Sequence, residues 1–103
     1  MTDTDVQVPP KAKTKVFVQE PSLYHVIYIN DDVTTQEFVS ETLVIIFNYS
    51  NLDAEEMTHK IHTDGSAVVA TLPFEMAEQK GIEVTLLARN HGFPLSVKVE
   101  PEA

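Results

Sequence analysis

Six short apolar segments of two different periodicities restrict this 103-residue chain to a mixed α and β fold. Residues 24–29 (YHVIYI) and 66–72 (SAVVATL) are rich in strand-forming side chains, and apolar residues alternate with polar ones over residues 94–99. These three segments predict β-strands. In the other three segments apolar residues recur every three or four positions, which predicts helices with one buried face. The predicted order of elements is β-α-α-β-α-β.

Capping residues mark the ends of the first two predicted helices. Thr34 and Glu37 have the spacing of a capping box, so we predict that the first helix begins at Thr34. Ser50 and Asp53 mark the start of the second helix. Gly65 can adopt the left-handed conformation that ends this helix.

The third predicted helix runs from Pro73, which fits a first helical position, to about His91. Gly81 interrupts its apolar stripe, and a glycine inside a helix costs about 1 kcal/mol relative to alanine. We expect close packing against a neighbouring element to be the reason for this glycine. Together the six elements predict one small α+β domain, in which helices cover one face of a short sheet.

Residues 1–20 differ in composition from the rest of the chain. Thr, Asp, Gln, Pro and Lys dominate this stretch, which predicts a flexible N-terminal extension followed by a folded core over residues 21–103. Acidic and basic residues balance within residues 1–20, so the remaining 83 residues carry the whole net charge of −9. Such a domain repels phosphate backbones, and we do not expect it to bind nucleic acid.

Composition also excludes several kinds of site and location. The chain has no cysteine, which excludes disulfides, thiolate metal sites and a cysteine nucleophile. It has no apolar run long enough for a membrane-spanning helix, and its N-terminus lacks the apolar segment of a signal peptide. We therefore expect a cytoplasmic protein without a membrane interaction. We also expect a monomer that needs no cofactor.

The first candidate for a functional site is a polar cluster after the first predicted strand. Asn30, Asp31 and Asp32 offer a group of acceptor oxygens that suits an ammonium group or another cation. The alternative interpretation is an ordinary turn, because Asn and Asp are common turn formers. Spacing alone favours the turn.

The second candidate is formed by His59, His62 and Asp64 on the second predicted helix. Histidines at positions i and i+3 of a helix are neighbours, and with a carboxylate they could hold zinc in a metal-dependent enzyme. The glutamate of an HExxH motif is missing, so a metal site is the less favoured interpretation.

A longer motif carries a resemblance to a known family. The segment PSLYHVIYINDDVT at residues 21–34, followed by EFV at residues 37–39, resembles the most characteristic stretch of the ClpS adaptors of the Clp protease. The resemblance covers residues 21–100. Further matches follow in the family's order, namely Ile61-His62 before Gly65, then Ala77, Glu78 and Lys80, then HGFPL at residues 91–95.

The resemblance implies a binding protein and not an enzyme. ClpS adaptors recognise substrate proteins by a bulky hydrophobic N-terminal residue (Phe, Tyr, Trp or Leu), which is termed an N-degron. They deliver these substrates to the N-terminal domain of a AAA+ ATPase, ClpA or ClpC, for degradation by ClpP. The implied fold is a three-stranded antiparallel sheet packed against three helices, in agreement with the order of elements predicted from the residues.

The resemblance also assigns roles to individual residues. Asn30, Asp31 and His62 match the positions that hold the α-amino group of the peptide. A free α-ammonium group is a cation with three donors, so acceptors in a partly dry pocket recognise it by charge-assisted hydrogen bonds. The other matches are Asp32 and Thr34 at the peptide backbone or rim, Gln36, Val39, Thr58, Ile61 and Leu95 in the side-chain pocket, and Glu75 and Lys80 at the ATPase contact.

Gln36 and Thr58 depart from the family pattern, which typically has methionine at both positions. Each replaces a flexible apolar side chain by a polar one. The alternative function is therefore a paralogue with altered N-terminal residue specificity, acting mainly as a modulator of the Clp ATPase. For Asp31→Ala we expect peptide binding to weaken by at least about 1.5 kcal/mol while the fold stays intact.

Overall fold

The predicted α+β class and order of elements are confirmed by the computed structural model, which describes residues 22–102. The predicted N-terminal extension, residues 1–20, lies outside the described residues. The six elements are β1 (Leu23–Ile29), α1 (Gln36–Phe47), α2 (Asn51–Asp64), β2 (Ser66–Pro73), α3 (Phe74–Asn90) and β3 (Ser96–Pro101).

The first strand is the centre of the sheet. β1 pairs antiparallel with β2 on one side and with β3 on the other, so the strand order is β2-β1-β3. Ile29, the last residue of β1, pairs with Ser66 of β2 and with Ser96 of β3. The carboxyl end of β1 therefore lies beside the start of both neighbouring strands.

The core lies between the sheet and the helices. Val26 and Tyr28 of β1 are fully buried and point to the same face, because side chains alternate along a strand. Leu43 of α1 is also fully buried, and the whole core cluster comprises Val26, Tyr28, Phe38, Val39, Leu43, Ile46, Ala54, Ile61, Ala67, Val69, Ala77, Val84, Ala88 and Leu95.

One hydroxyl pair lies inside this core. The hydroxyl oxygens of Tyr28 and Thr42 are 2.7 Å apart, and Thr42 Oγ1 also donates to the carbonyl of Val39. Burial raises the pKa of Tyr28 far above its ordinary value, although the hydrogen bond with Thr42 opposes this shift. Tyr28 therefore stays neutral, and its polar group is satisfied within the apolar core.

The predicted capping box at Thr34 is wrong, and the start of α1 shows why. Thr34 Oγ1 donates to a carboxylate oxygen of Asp31 at 2.7 Å, which turns the Thr34 side chain toward the preceding loop. The N-cap of α1 is Thr35, whose side chain accepts from the backbone N–H of Phe38 at 3.1 Å. The spacing pattern did not reveal this competing acceptor.

The boundaries of α2 follow the prediction. The Ser50 side chain accepts from the backbone N–H of Asp53 at 3.0 Å, as expected of an N-cap. Gly65 ends the helix with φ of 90°, a left-handed conformation that favours glycine. Its N–H donates to the carbonyl of Ile61 at 2.9 Å.

The last helix and strand are shifted from their predicted bounds. Pro73 is the final residue of β2 and the N-cap of α3, and is not inside the helix. β3 begins at Ser96 and not at Pro94, because Arg89 Nη1 donates to the carbonyls of Phe93 and Leu95 at 2.9 and 3.0 Å. These two bonds hold the residues before β3 as a loop.

Close packing does not require the glycine in α3. Gly81 is buried against β3, but a methyl group added there would meet Val97 and Val99 side-chain carbons at 3.5 and 3.6 Å. Such distances are ordinary van der Waals contacts. The expectation of enforced close approach is therefore wrong, and alanine fits this position.

Candidate functional site

The polar cluster at the end of β1 lies between two other parts of the fold. The backbone N–H of Asn30 donates to the carbonyl of Gly65 at 2.9 Å, which joins this end of β1 to the end of α2. On the opposite side, Ile29 pairs with Ser96, so Leu95, the residue before β3, also lies at this end of β1. The end of β1, the end of α2 and the loop before β3 therefore meet at one corner.

The carboxylate of Asp31 is held by its own loop. One oxygen accepts from the backbone N–H groups of Val33 and Thr34 at 2.8 and 2.7 Å, and the other accepts from Thr34 Oγ1. Partial burial by itself would raise the pKa of Asp31, but these bonds, helped by the charge of Arg89, hold its pKa below the ordinary value. Asp31 is therefore negatively charged at neutral pH.

This bonding changes one expectation. The side chain of Asp31 fixes the residues that lead into α1, so it has a structural role in addition to the predicted binding role. Removing it leaves backbone N–H groups without their acceptor. We therefore expect Asp31→Ala to cost stability as well as peptide binding.

The other predicted polar residues lie around the same corner. His62 is exposed in the last turn of α2, three residues before Gly65, and Asp32 is exposed in the loop after β1. Thr34 is half-buried through its bonds with Asp31. The fold thus gathers the residues predicted to recognise an amino group near one end of β1.

The predicted apolar lining belongs to the core. Val39 of α1, Ile61 of α2 and Leu95 before β3 are 7%, 2% and 1% exposed. These three residues come from three different segments of the chain, and all three residues belong to the same core cluster. They are part of the apolar interior between the sheet and the helices.

A groove of about 550 Å³ runs between α1 and α2. Gln36, the first residue of α1, and Thr58 of α2 both line it. The structure therefore brings together the two residues that depart from the family pattern. Three glutamates give the groove an acidic rim. We call this feature the α1–α2 groove, and its lining residues are Gln36, Glu37, Ser40, Glu41, Val44, Asn51, Glu55, Thr58 and His59.

Arg89 is a contributor that the sequence analysis missed. Its two hydrogen bonds to the loop before β3 hold Leu95, and its charge favours the ionised form of Asp31. A basic residue in the last turn of a helix is common, so position alone gave no signal. The loop that Arg89 holds is visible only in the folded chain.

The residues predicted to contact the ATPase lie toward the other end of the sheet. Glu75 is exposed in the first turn of α3, directly after Pro73, which pairs with Leu23 at the beginning of β1. Seven residues of β1 separate that end from the polar corner, or about 20 Å at the usual rise per residue. The two predicted surfaces are therefore well apart.

Lys80 is not simply a solvated surface residue. Its ammonium group donates to the carbonyl of Ile46 at 3.0 Å, in the last turn of α1. The last turn of α1 has no basic residue of its own, so Lys80 of α3 supplies the cation there. Lys80 thus joins two helices.

The structure does not assemble the predicted metal site. Among residues 22–102, no three His, Cys, Asp or Glu side chains come together in a group that could hold a metal ion, and His59, His62 and Asp64 are no exception. Within the same range, no helix is long and apolar enough to cross a membrane.

The fold and the polar corner define a class of small α+β domain, in which ionised and amide acceptors lie beside an apolar interior at one end of a three-stranded sheet. The chain belongs to the ClpS family, since the family model described as ATP-dependent Clp protease adaptor protein ClpS matches residues 19–98. The predicted family and the predicted fold are both confirmed.

Individual relatives agree with this assignment. The chain is 39% identical over 102 residues to the ATP-dependent Clp protease adapter protein ClpS 2 of Agrobacterium fabrum, covering 99% of each chain. It is 42% identical over 81 residues to the corresponding adapter of Treponema denticola, covering 79% of this chain and 80% of the relative. The solved structure of Agrobacterium tumefaciens ClpS2 bound to L-phenylalaninamide matches with a TM-score of 0.78 and 40% identity, over 81% of this chain and 100% of that chain.

Proposed function

We propose that this chain binds proteins by a bulky hydrophobic N-terminal residue and delivers them to a Clp ATPase for degradation by ClpP. The observation that carries the proposal is the ionised Asp31 next to an apolar interior. A peptide N-terminus presents an ammonium group and a side chain on adjacent atoms, so it needs these two environments together.

The proposed site uses the residues that the fold gathers at the end of β1. Asn30, Asp31 and His62 hold the α-ammonium group, and Asp32 and Thr34 contact the adjoining peptide backbone. The side chain of the first residue of the bound protein enters between α1 and α2, toward Val39, Ile61 and Leu95. Burying a large apolar side chain contributes about 1.5–3 kcal/mol, which is enough to discriminate among N-terminal residues.

A comparison with the solved relative supports this proposal. L-Phenylalaninamide, the molecule bound to Agrobacterium tumefaciens ClpS2, carries a free amino group and an aromatic side chain. These are the two features that the proposed site of this chain suits. The similarity covers 81% of this chain.

Fluorescence anisotropy of labelled peptides tests the binding step. We expect a peptide beginning with Phe or Leu to bind with a free N-terminus and to lose binding on acetylation, which removes the charge and the donors. His62→Ala should weaken binding, whereas Lys60→Ala, an exposed change on the same helix, should not. Equal binding of free and acetylated peptides would contradict the proposal.

Delivery requires a second surface. We propose that the surface around the start of α3, with Glu75 and Lys80, contacts the N-terminal domain of ClpA or ClpC. Glu75→Arg suits the test because Glu75 is exposed, whereas Lys80 also bonds to α1. Titration of each purified ATPase domain should show weaker binding of the variant with unchanged peptide affinity. An unchanged affinity for both domains would refute this assignment.

A paralogue with altered specificity remains the second candidate, because Gln36 and Thr58 both line the α1–α2 groove. In that case the chain binds no free N-terminal Phe or Leu peptide but still binds the ATPase domain. The same two assays therefore separate the candidates.

A further inference from the structure

Thr58 carries a buried hydroxyl that the fold does not use. The residue is 5% exposed, and among residues 22–102 no atom forms a hydrogen bond with its Oγ1. A buried polar group without a partner is costly, and native proteins contain few of them. Thr58 lines the α1–α2 groove, but its Oγ1 is itself buried, so this hydroxyl meets a bound molecule when the Thr58 side chain rotates toward the groove.

Other helical threonines in this chain behave differently. Thr42 Oγ1 donates to the carbonyl of Val39 at 2.7 Å, and Thr85 Oγ1 donates to the carbonyl of Gly81 at 2.9 Å. Threonine hydroxyls in helices commonly bond to a carbonyl of the preceding turn in this way. Thr58 makes no such bond, so no hydrogen bond has to break when its hydroxyl turns toward a ligand.

We propose that Thr58 determines specificity by forming a hydrogen bond with a polar atom on the first side chain of the bound peptide. The inference depends on the proposed binding of N-terminal residues and names the preferred class, an aromatic residue with a hydroxyl. Tyrosine supplies a large ring and a hydroxyl that can either donate to or accept from Thr58. Phenylalanine fills the same volume and leaves Thr58 unsatisfied.

Two labelled peptides that differ only in the first residue, Tyr or Phe, provide the test. One net hydrogen bond corresponds to about two- to tenfold in affinity, so the protein should bind the Tyr peptide more tightly by about this factor. Thr58→Val keeps the shape and removes the hydroxyl, so it should bring the two affinities together. Thr85→Val is the matched control, because its hydroxyl is bonded within its own helix, and it should keep the Tyr preference.

A thermal melt of Thr58→Val gives a second reading that does not depend on peptides. Removing a buried unpaired hydroxyl should leave the melting temperature unchanged or raise it. A clear fall would show that the fold uses this hydroxyl, which would overturn the inference.

The failure of this inference and the failure of the proposed function give different results. If free Tyr and Phe peptides bind equally and acetylation abolishes both, the proposed function stands and the role of Thr58 is refuted. A Tyr preference that persists in Thr58→Val refutes that role as well. If neither free peptide binds, or if acetylated peptides bind as well as free ones, the proposed function and this inference fail together.

Discussion

Replacing Asp31 by asparagine should destabilise the domain in a way that depends on pH. The carboxylate accepts three hydrogen bonds from Val33 and Thr34, and asparagine keeps the shape but loses the charge. Bonds to a charged group contribute about 1.5–3 kcal/mol each, against about 0.5–1.5 kcal/mol for neutral ones. Because Asp31 is partly exposed, solvent screening reduces the difference, and we expect a loss of about 1–2 kcal/mol near neutral pH.

The pH dependence follows from the direction of the pKa shift. The pKa of Asp31 is lower in the folded chain than in the unfolded chain, so its contribution is fully present above the unfolded pKa of about 3.9. This contribution disappears as the pH falls through the folded pKa. The stability difference between wild type and Asp31→Asn should therefore narrow as the pH falls from about 5 to about 3.

Urea unfolding followed by far-ultraviolet circular dichroism suits this measurement, because the chain has no tryptophan. Asp32→Asn is the control, since it changes the net charge equally, and among the described residues the Asp32 side chain makes no hydrogen bond. It should change the free energy of unfolding by less than about 0.5 kcal/mol. A stability difference for Asp31→Asn that is constant with pH, or absent near neutral pH, would refute the reasoning.

Three further substitutions test the packing, each by urea unfolding. Leu43→Ala should lower the free energy of unfolding by about 2–5 kcal/mol, because Leu43 is fully buried. Ile45→Ala, on the exposed side of α1, should lower it far less. Similar values for the two variants would mean that the buried face of α1 is misassigned. Lys80→Met should cost about 1 kcal/mol, because it removes the cation at the end of α1, and an unchanged stability would contradict this role. Gly81→Ala should stabilise by up to about 1 kcal/mol, and a destabilisation would show that β3 approaches Gly81 too closely for a methyl group.

Elements with strong periodicity were predictable from the sequence. The strand-forming side chains of β1 and the caps Ser50 and Gly65 identify structure through local rules, and the folded chain follows them. The start of α1 is different, because Thr34 and Thr35 are both competent caps. The choice between them depends on the carboxylate of Asp31, which accepts a hydrogen bond from the Thr34 side chain and holds it toward the preceding loop.

The candidate site also has a part that the sequence predicted and a part that it did not. The motif around Asn30 identified the polar corner, and its resemblance to a family identified a class of ligand. The roles of Lys80 and Arg89 were not predictable, because each bonds to a backbone carbonyl on a different segment. Every residue has a backbone carbonyl, so neither residue type nor spacing predicts which carbonyl will accept a hydrogen bond from a distant side chain. Such contacts are seen only in the packed structure.

The position of β1 at the centre of the sheet has a consequence for local opening. Its backbone bonds to β2 and β3 on both sides, so fraying of either outer strand or unwinding of a helix end leaves β1 in place. Asn30 and Asp31 continue directly from this strand, so they are anchored to a strand that is bonded on both edges. Substitutions on the α1 and α2 surfaces can thus change which side chains enter the groove, while the acceptors for the amino group keep their positions.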